Sequence, residues 1–309
     1  METEGTSRGI LQKDIANNVS DEIQLSQEEA LNLANHLKEK REAGLLVDSD
    51  PESIAAMVAG LGDPRGLLRR RFSESLGSVG KPAVPALCRA MRFSSQVTVR
   101  RASAKTLILI ADPASLPDLL SAFLADTDSV VQGSTMGAMA AMGTQSLDPI
   151  LSIIENPEST EMQIGLANWA LTLLGDGASE GLRNAALSKN PKVRKAAISA
   201  LCGQIQTLEI EEERRIITNA LSDPCAEIRA EVVTFLGNLD DEQTSAPLIV
   251  PLLDDSDVWV RKNSALSLMK LRSTSSLEAL QAKISKEEDD VVLNVLELAI
   301  NQLIRIRKI

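Results

Sequence analysis

Apolar residues recur along this chain in blocks of helical spacing that return at a nearly fixed interval. Each block begins with an aliphatic residue followed by a second, usually polar or cationic, residue. The pairs are Leu68-Arg69, Val99-Arg100, Val131-Gln132, Met162-Gln163, Val193-Arg194, Ile228-Arg229, Val260-Arg261 and Val292-Leu293, at successive offsets of 31, 32, 31, 31, 35, 32 and 32 residues. This period is typical of stacked helix pairs, which bury their apolar faces against neighbouring pairs. It predicts an all-α fold, a right-handed α-α superhelix of about eight helical hairpins.

Local signals between the blocks agree with this period. Turns rich in Asp and Pro, such as Asp63-Pro64 and Asp223-Pro224, separate the two helices of a pair. Glycines that tolerate a left-handed cap follow the second helices, at Gly80, Gly143, Gly175 and Gly237. Agreement between local and global patterns favours a well-defined fold.

The N-terminal part lacks the repeat pattern. Residues 1–25 are predicted to be a flexible leader. Ser26 and Glu29 have the spacing of a capping box, so residues 26–50 are predicted to form a capping helix and a loop, with Leu31, Ala34 and Leu37 on its apolar face. The repeat array is expected to occupy residues 51–309. Terminal repeats need such a cover for solubility.

Composition limits the classes of partner. The 309 residues include 32 Lys and Arg against 43 Asp and Glu, a net charge of −11. This acidic balance argues against nonspecific binding to nucleic acid, which depends on clustered cations. With 4 Phe, 2 Trp and no Tyr, the core must be largely aliphatic.

Targeting and metal-binding signals are scarce. No apolar run has the length of a signal peptide or of a membrane span, which predicts a cytoplasmic protein without membrane insertion. Cys88, Cys202 and Cys225 share no metal-ligand spacing, and His36 is the single histidine. No metal site and no tightly bound cofactor are therefore predicted.

Two repeat units carry a family resemblance. Residues 254–266 (DDSDVWVRKNSAL) and 99–107 (VRRASAKTL) resemble short HEAT repeats, with the turn Asp and the Val-Arg pair in their places. The stretches at 128–143 (DSVVQGSTMGAMAAMG) and 163–175 (QIGLANWALTLLG) are similar to the HEAT-like repeats of the phycobilisome lyase family, the E/F type of bilin lyase. The chain departs from the repeat pattern at Gln132, Gln163 and Leu293, where Arg is usual.

The resemblance implies a function that the periodicity alone does not. It implies a phycobilin lyase or lyase-like chaperone that binds a linear tetrapyrrole and a phycobiliprotein subunit and assists attachment of the chromophore to a cysteine of that subunit. A second HEAT-repeat subunit is a further implied partner, and the cyanobacterial cytosol or plastid stroma is the implied location. Two alternatives stay open: a phycobilisome degradation factor that detaches or accepts chromophores, and a noncatalytic scaffold for protein recognition in another pathway such as iron–sulfur assembly.

The third and fourth repeats hold the candidate ligand groove. Gly133, Gly137 and Gly165 fall inside predicted second helices, where each costs about 1 kcal/mol relative to Ala. Either a neighbouring helix packs very close to them, which is the favoured explanation, or a flat ligand or partner approaches there. The surrounding candidates for ligand or partner contact are Gln132, Ser134, Met136, Gln163, Asn168 and Trp169. Alternatively, Trp169 and Met136 are core residues, and the amide side chains take the place of the repeat's arginine. For Trp169 the core is favoured.

Clustered arginines form the candidate contact for a carboxylate or an acidic partner, namely Arg70, Arg71, Arg100 and Arg101. For Arg69 and Arg100 the favoured alternative is a structural ladder that pairs with turn acids such as Asp63. Catalytic residues stay unidentified. Asp126 and Asp128 are candidates for a proton donor, and Cys88 is a candidate for a transient thiol.

Overall fold

The computed structural model describes residues 23–205 and 211–307 and confirms the all-α prediction. Across those residues the chain forms 17 α-helices joined by turns and short 3-10 segments, and no strand. The helices divide into two compact units, Met1–Leu174 and Gly175–Ile309. Residues 1–22 of the predicted leader lie outside the described part of the chain.

Unit 1 consists of an N-terminal helix followed by four helix pairs. In each pair a turn separates the first helix from the second helix. The aliphatic residue of the repeat lies in the first turn of the second helix. The bounds are α1 (Gln27–Glu42), α2 (Pro51–Gly60), α3 (Gly66–Val79), α4 (Val84–Phe93), α5 (Val97–Ile110), α6 (Leu116–Ala125), α7 (Ser129–Ala140), α8 (Leu147–Glu155) and α9 (Glu161–Thr172). Each second helix packs against its own first helix, and α3, α5, α7 and α9 pack against one another in succession.

Unit 2 continues the same pattern with four further pairs. Its bounds are α10 (Ser179–Ala185), α11 (Pro191–Ile205), α12 (Glu211–Asn219), α13 (Ala226–Leu236), α14 (Glu242–Ile249), α15 (Val258–Lys270), α16 (Leu277–Ile284) and α17 (Asp290–Arg307). The second helices α11, α13, α15 and α17 again pack in succession.

Helix α1 packs on α3 at the start of the repeats. The predicted capping box is present, because the Ser26 hydroxyl accepts from the Glu29 N–H and the Glu29 carboxylate accepts from the Ser26 N–H. The buried face consists of Ala30, Ala34 and Leu37, whereas Leu31 is exposed, so the predicted face was wrong by one residue.

The arginines that follow the aliphatic residue of the repeat form a ladder of ion pairs between neighbouring repeats. The Arg100 guanidinium donates to both carboxylate oxygens of Asp126, at 2.7 and 3.3 Å, and to the backbone oxygen of Ser94 at 3.2 Å. The same arrangement recurs at Arg194–Asp223, Arg229–Asp255 and Arg261–Glu287. Each carboxylate belongs to the turn of the following repeat, so the pairs join neighbouring helix pairs. The sequence predicted that the ladder arginines pair with acids of the turn before them, such as Asp63 before Arg69. The Asp63 carboxylate pairs with Arg65 instead.

The terminating glycines serve two purposes. Gly80, Gly143 and Gly175 have φ between 62° and 74°, the positive range that favours glycine, but Gly80 and Gly175 have ψ of −138° and −172° and are not left-handed helical caps. Gly237 has φ −66°, so the prediction was wrong there. A Cβ on Gly237 would lie 2.8 Å from Cα of Ser267, which shows that this glycine is required for the close approach of α13 and α15.

In the fourth repeat, the residues that correspond in the structure are shifted by one position from the pair Met162-Gln163 that the sequence predicted. Asp128 caps α7 and Thr160 caps α9, 32 residues later, and the buried positions of the two helices match at that offset. Gln163 therefore corresponds to the aliphatic Val131, and Ile164 takes the position of the ladder arginine. Gln163 is buried, and its side chain completes a capping box by accepting from the Thr160 N–H at 2.9 Å.

Candidate functional site

The second helices of unit 1 expose one face along four successive helices, which we call the second-helix face. Relative to the buried aliphatic residue, its positions lie one before and two, six and ten after, a spacing that falls on one side of an α-helix. On α3, α5, α7 and α9 its members are Leu67, Arg70, Glu74, Ser78, Thr98, Arg101, Lys105, Leu109, Val130, Gly133, Gly137, Ala141, Met162, Gly165, Trp169 and Leu173.

The part of this face on α3 and α5 carries three basic side chains and one acidic side chain, that of Glu74. Arg70, Arg101 and Lys105 line an open groove of about 960 Å³, together with the exposed apolar side chains of Leu109 and Val130. The sequence singled out Arg70 and Arg101 but missed Lys105. The sequence could have identified Lys105 from its four-residue spacing to Arg101, because this spacing places both side chains on one side of α5.

The part on α7 and the start of α9 has glycine where the other helices have side chains, and we call Gly133, Gly137 and Gly165 the glycine floor. A Cβ built on Gly133 or on Gly165 of α9 would meet nothing within 4 Å, and one on Gly137 would touch only the side chain of Ile108 at 3.7 Å. Close helix packing, which the sequence favoured as the reason for these glycines, is therefore wrong. They leave a smooth strip of backbone open to whatever approaches the face.

The part on α9 is apolar. Met162, Trp169 and Leu173 are all exposed and lie on the same side of the helix as Gly165. Trp169 is 47% exposed, so the core position that the sequence favoured for it is wrong. A thioether, an indole and an isobutyl group here form a wall that suits a conjugated or apolar molecule.

Several predicted groove residues point away from this face. Met136 is fully enclosed, and Ser134 is buried on the same helix. Gln132 is buried, and its amide nitrogen donates to the backbone oxygen of Asp126 at 2.7 Å, as the ladder arginines do to the equivalent carbonyl. Its Oε1 has no hydrogen-bond partner. Gln132 thus replaces the Arg in one of its two contacts and makes no contact with the next turn.

Asn168 precedes Trp169 on α9 and is half-buried. Its Oδ1 is buried without a hydrogen-bond partner among the described residues. An unpaired amide oxygen costs free energy unless a ligand or water supplies a donor. Asn168, like Gln132, thus retains a buried hydrogen-bonding atom without a partner, and it precedes Trp169 of the exposed apolar group.

The candidate arginines have different partners. Arg71 donates to Asn35 of α1 at 2.7 Å, and Arg100 belongs to the ladder. Arg101 makes two bonds to Asp128, at 2.9 and 2.5 Å. The Arg101 guanidinium is the main reason that the pKa of Asp128 lies well below its usual range. Asp128 is therefore a carboxylate at neutral pH and does not donate a proton.

Cys88 is buried in the first helix of its pair. Burial raises the pKa of its thiol to about 12, with the Asp118 carboxylate as a further cause. Since only the thiolate is a good nucleophile, the thiol role considered for Cys88 is not supported. Within the described residues, no cluster of His, Cys, Asp and Glu has the arrangement of a metal site.

Comparison with known proteins defines the class of the chain. A model of HEAT repeats matches residues 48–140 and 214–301. The protein therefore belongs to the HEAT-repeat family, as its period and its arginine ladder indicate. In the described residues, none of the helices is long and apolar enough to cross a membrane.

A more specific relationship covers nearly the whole chain. The bilin biosynthesis protein MpeU of Synechococcus sp. (strain WH8020) is 47% identical over 281 residues, 91% of this chain and 95% of the relative. Within the HEAT-repeat proteins, the chain is a member of the family of MpeU, which confirms the predicted resemblance. An uncharacterized phycocyanin operon protein Z of Pseudanabaena tenuis is 26% identical over 168 residues, 51% of this chain and 83% of that protein.

Solved structures include a similar protein pair. The complex of CpcE and CpcF of phycocyanin lyase from Nostoc sp. matches with 21% identity and a TM-score of 0.30, covering 60% of this chain and 99% of that chain.

Proposed function

We propose that this protein binds a linear tetrapyrrole on the second-helix face of unit 1 and assists its attachment to a cysteine of a phycobiliprotein subunit. The name of MpeU connects the family with bilin biosynthesis, and the two chains align over nearly their full lengths. In this proposal the protein works as a lyase or lyase-like chaperone in the cytosol of a cyanobacterium or the stroma of a plastid, with or without a second HEAT-repeat subunit.

The observation that carries the proposal is the glycine floor between a cationic and an apolar region. A bilin is a flat conjugated chain of four rings with two propionates. Gly133 and Gly137 allow such a molecule to approach the α7 backbone closely, because neither has a side chain in the way. Cations at one side suit the propionates, and Trp169 at the other suits the ring system.

The protein's contribution to thioether formation is then orientation. The partner's thiol adds across a carbon–carbon double bond of the bilin, so sulfur bonds to one carbon and the thiol proton goes to the other. Cys88 is a buried thiol with a raised pKa, and Asp128 is held as a carboxylate, so neither takes part. Holding the bilin and the subunit in one geometry accelerates such an addition without an acid or base from this chain.

Attachment in the presence and absence of the protein tests the proposal. The purified protein is mixed with phycocyanobilin or phycoerythrobilin and then with an apo-phycobiliprotein subunit. We expect a stoichiometric complex with free bilin, seen as a change in its absorption spectrum, and faster or more selective formation of the covalent adduct. Absence of both bound pigment and accelerated attachment contradicts the proposal.

Binding to apo-subunits and to pigmented subunits separates the alternative roles. A degradation factor binds pigmented subunits in preference to apo-subunits, and incubation with the pigmented subunit releases the chromophore. A scaffold of another pathway binds neither form. Pull-down with both forms of the subunit therefore distinguishes the three functions.

A further inference from the structure

The groove on α3 and α5, which we call the cationic groove, contains four basic side chains. They differ in whether they already bind another group of the protein. They are Arg69, Arg70, Arg101 and Lys105. A cation that holds an acid of its own chain must release it before it can bind the carboxylate of a ligand. The partners of the four side chains therefore decide which of them is ready to bind an anion.

The three arginines are engaged. Arg69 donates to the backbone oxygens of Asp63 and Pro64, at 2.6 and 2.9 Å. Arg101 makes its two bonds to the Asp128 carboxylate, which also caps α7 by accepting from the N–H groups of Val130 and Val131. Breaking that pair would therefore disturb the start of α7 as well as the ion pair itself.

Arg70 is engaged more weakly. It donates to Glu74 one helical turn away at 2.7 Å, and Glu74 also accepts from Arg41 of α1 at 2.7 Å. The Arg70 side chain is largely exposed, and exposed pairs of this spacing contribute little stability. Glu74 nevertheless keeps a negative charge beside Arg70, which opposes the approach of a second carboxylate.

Lys105 has no such partner. It is exposed, and it makes no hydrogen bond or ion pair with any described residue. Arg69, whose hydrogen-bond partners are backbone oxygens, adds positive potential to the same groove, and the apolar side chain of Leu109 lies one helical turn further along α5. An ammonium group at this position can form a charge-assisted bond with a ligand carboxylate without breaking an existing one.

We infer that Lys105 anchors a carboxylate of the bound molecule and makes the second-helix face selective for a free acid over its neutral ester. The inference rests on the proposed function and adds the orientation of the ligand. The carboxylate lies at α5, and the conjugated rings extend over the α7 glycines toward Trp169.

The test compares a bilin free acid with its dimethyl ester, measured by absorption titration with the full-length protein. Biliverdin and biliverdin dimethyl ester are suitable probes because they share the ring system and differ only in whether the two propionates are free acids or methyl esters. The variant Lys105→Met keeps most of the length of the side chain and its apolar character and removes the charge. Lys81→Met is the matched control, since Lys81 is an exposed lysine of the same unit that does not line the groove.

We expect the wild type to bind the acid about tenfold more tightly than the ester, the gain typical of one charge-assisted contact. Lys105→Met should lose this preference by weakening acid binding while ester binding stays unchanged, and Lys81→Met should behave as wild type. Retention of the acid preference in Lys105→Met overturns the anchor but leaves the proposed function intact. Failure of the wild type to bind either probe contradicts the proposed function and, with it, the anchor.

Discussion

The glycine floor gives a prediction in which stability and binding change in opposite directions. Gly133 of α7 and Gly165 of α9 occupy helix interiors, where glycine is the least favourable residue after proline. A Cβ at either position meets no atom within 4 Å. Replacement by alanine therefore adds no clash inside the protein, and it places a methyl group where the proposed ligand lies.

The magnitude follows from helix propensity. Each change should raise the free energy of unfolding by about 1 kcal/mol, because alanine loses less backbone entropy than glycine on forming a helix. For a unit of this size that corresponds to an increase in Tm of roughly 2–4 °C per substitution. Bilin affinity should fall by about tenfold, since one methyl group lifts a flat ring system from the backbone and removes its close contacts.

Gly203→Ala is the matched control. Gly203 lies on the second helix α11 of unit 2, and a Cβ there also meets nothing within 4 Å. It should stabilise the protein without affecting binding. Gly237→Ala provides the opposite control, because its Cβ would clash with Ser267 of α15 and should destabilise the protein.

Thermal unfolding followed by circular dichroism measures stability, and absorption titration with a bilin measures affinity. The reasoning about the floor is refuted if Gly133→Ala and Gly165→Ala stabilise the protein as Gly203→Ala does but leave bilin affinity unchanged. A loss of stability in these variants would instead refute the conclusion that the space above the glycines is open.

Two further predictions concern the arginine ladder. Gln132→Arg should raise the free energy of unfolding by about 1 kcal/mol, because it removes an unpaired amide oxygen and aligns a guanidinium with Glu158, the acid that occupies the ladder position of the next turn. Urea unfolding measures the gain, and addition of Glu158→Gln should cancel it; a gain that survives this second change would contradict the pairing. At the last rung, the Arg261 guanidinium is the main reason that the pKa of Glu287 is lowered to about 2 from its ordinary value of 4.5. The resulting stability, roughly 2–3 kcal/mol, is complete above about pH 4.5 and is lost as the pH falls toward 2. Glu287→Gln should flatten that part of the pH dependence in urea titrations, and an unchanged slope would show that the pair contributes nothing to it.

The chain also shows which site residues a sequence can and cannot identify. Arg101 and Trp169 were named as candidates from their residue types, and both lie on the exposed face, although the sequence favoured the core for Trp169. Met136 had an equally suitable type but faces the core. One residue of register on an α-helix turns a side chain by about 100°, so a small error in placing the helix exchanges core and surface positions.

The sequence by itself determined the repeat architecture, because an aliphatic residue every 30 to 35 positions leaves each helix pair with an apolar face that only a neighbouring pair can cover. Tertiary structure decided what the exposed face offers. Whether Gly133 is tightly packed or open, and whether Lys105 is paired or free, depends on side chains from other helices. Those contacts arise from how successive pairs stack in space, and the spacing of residues along one helix does not contain that information.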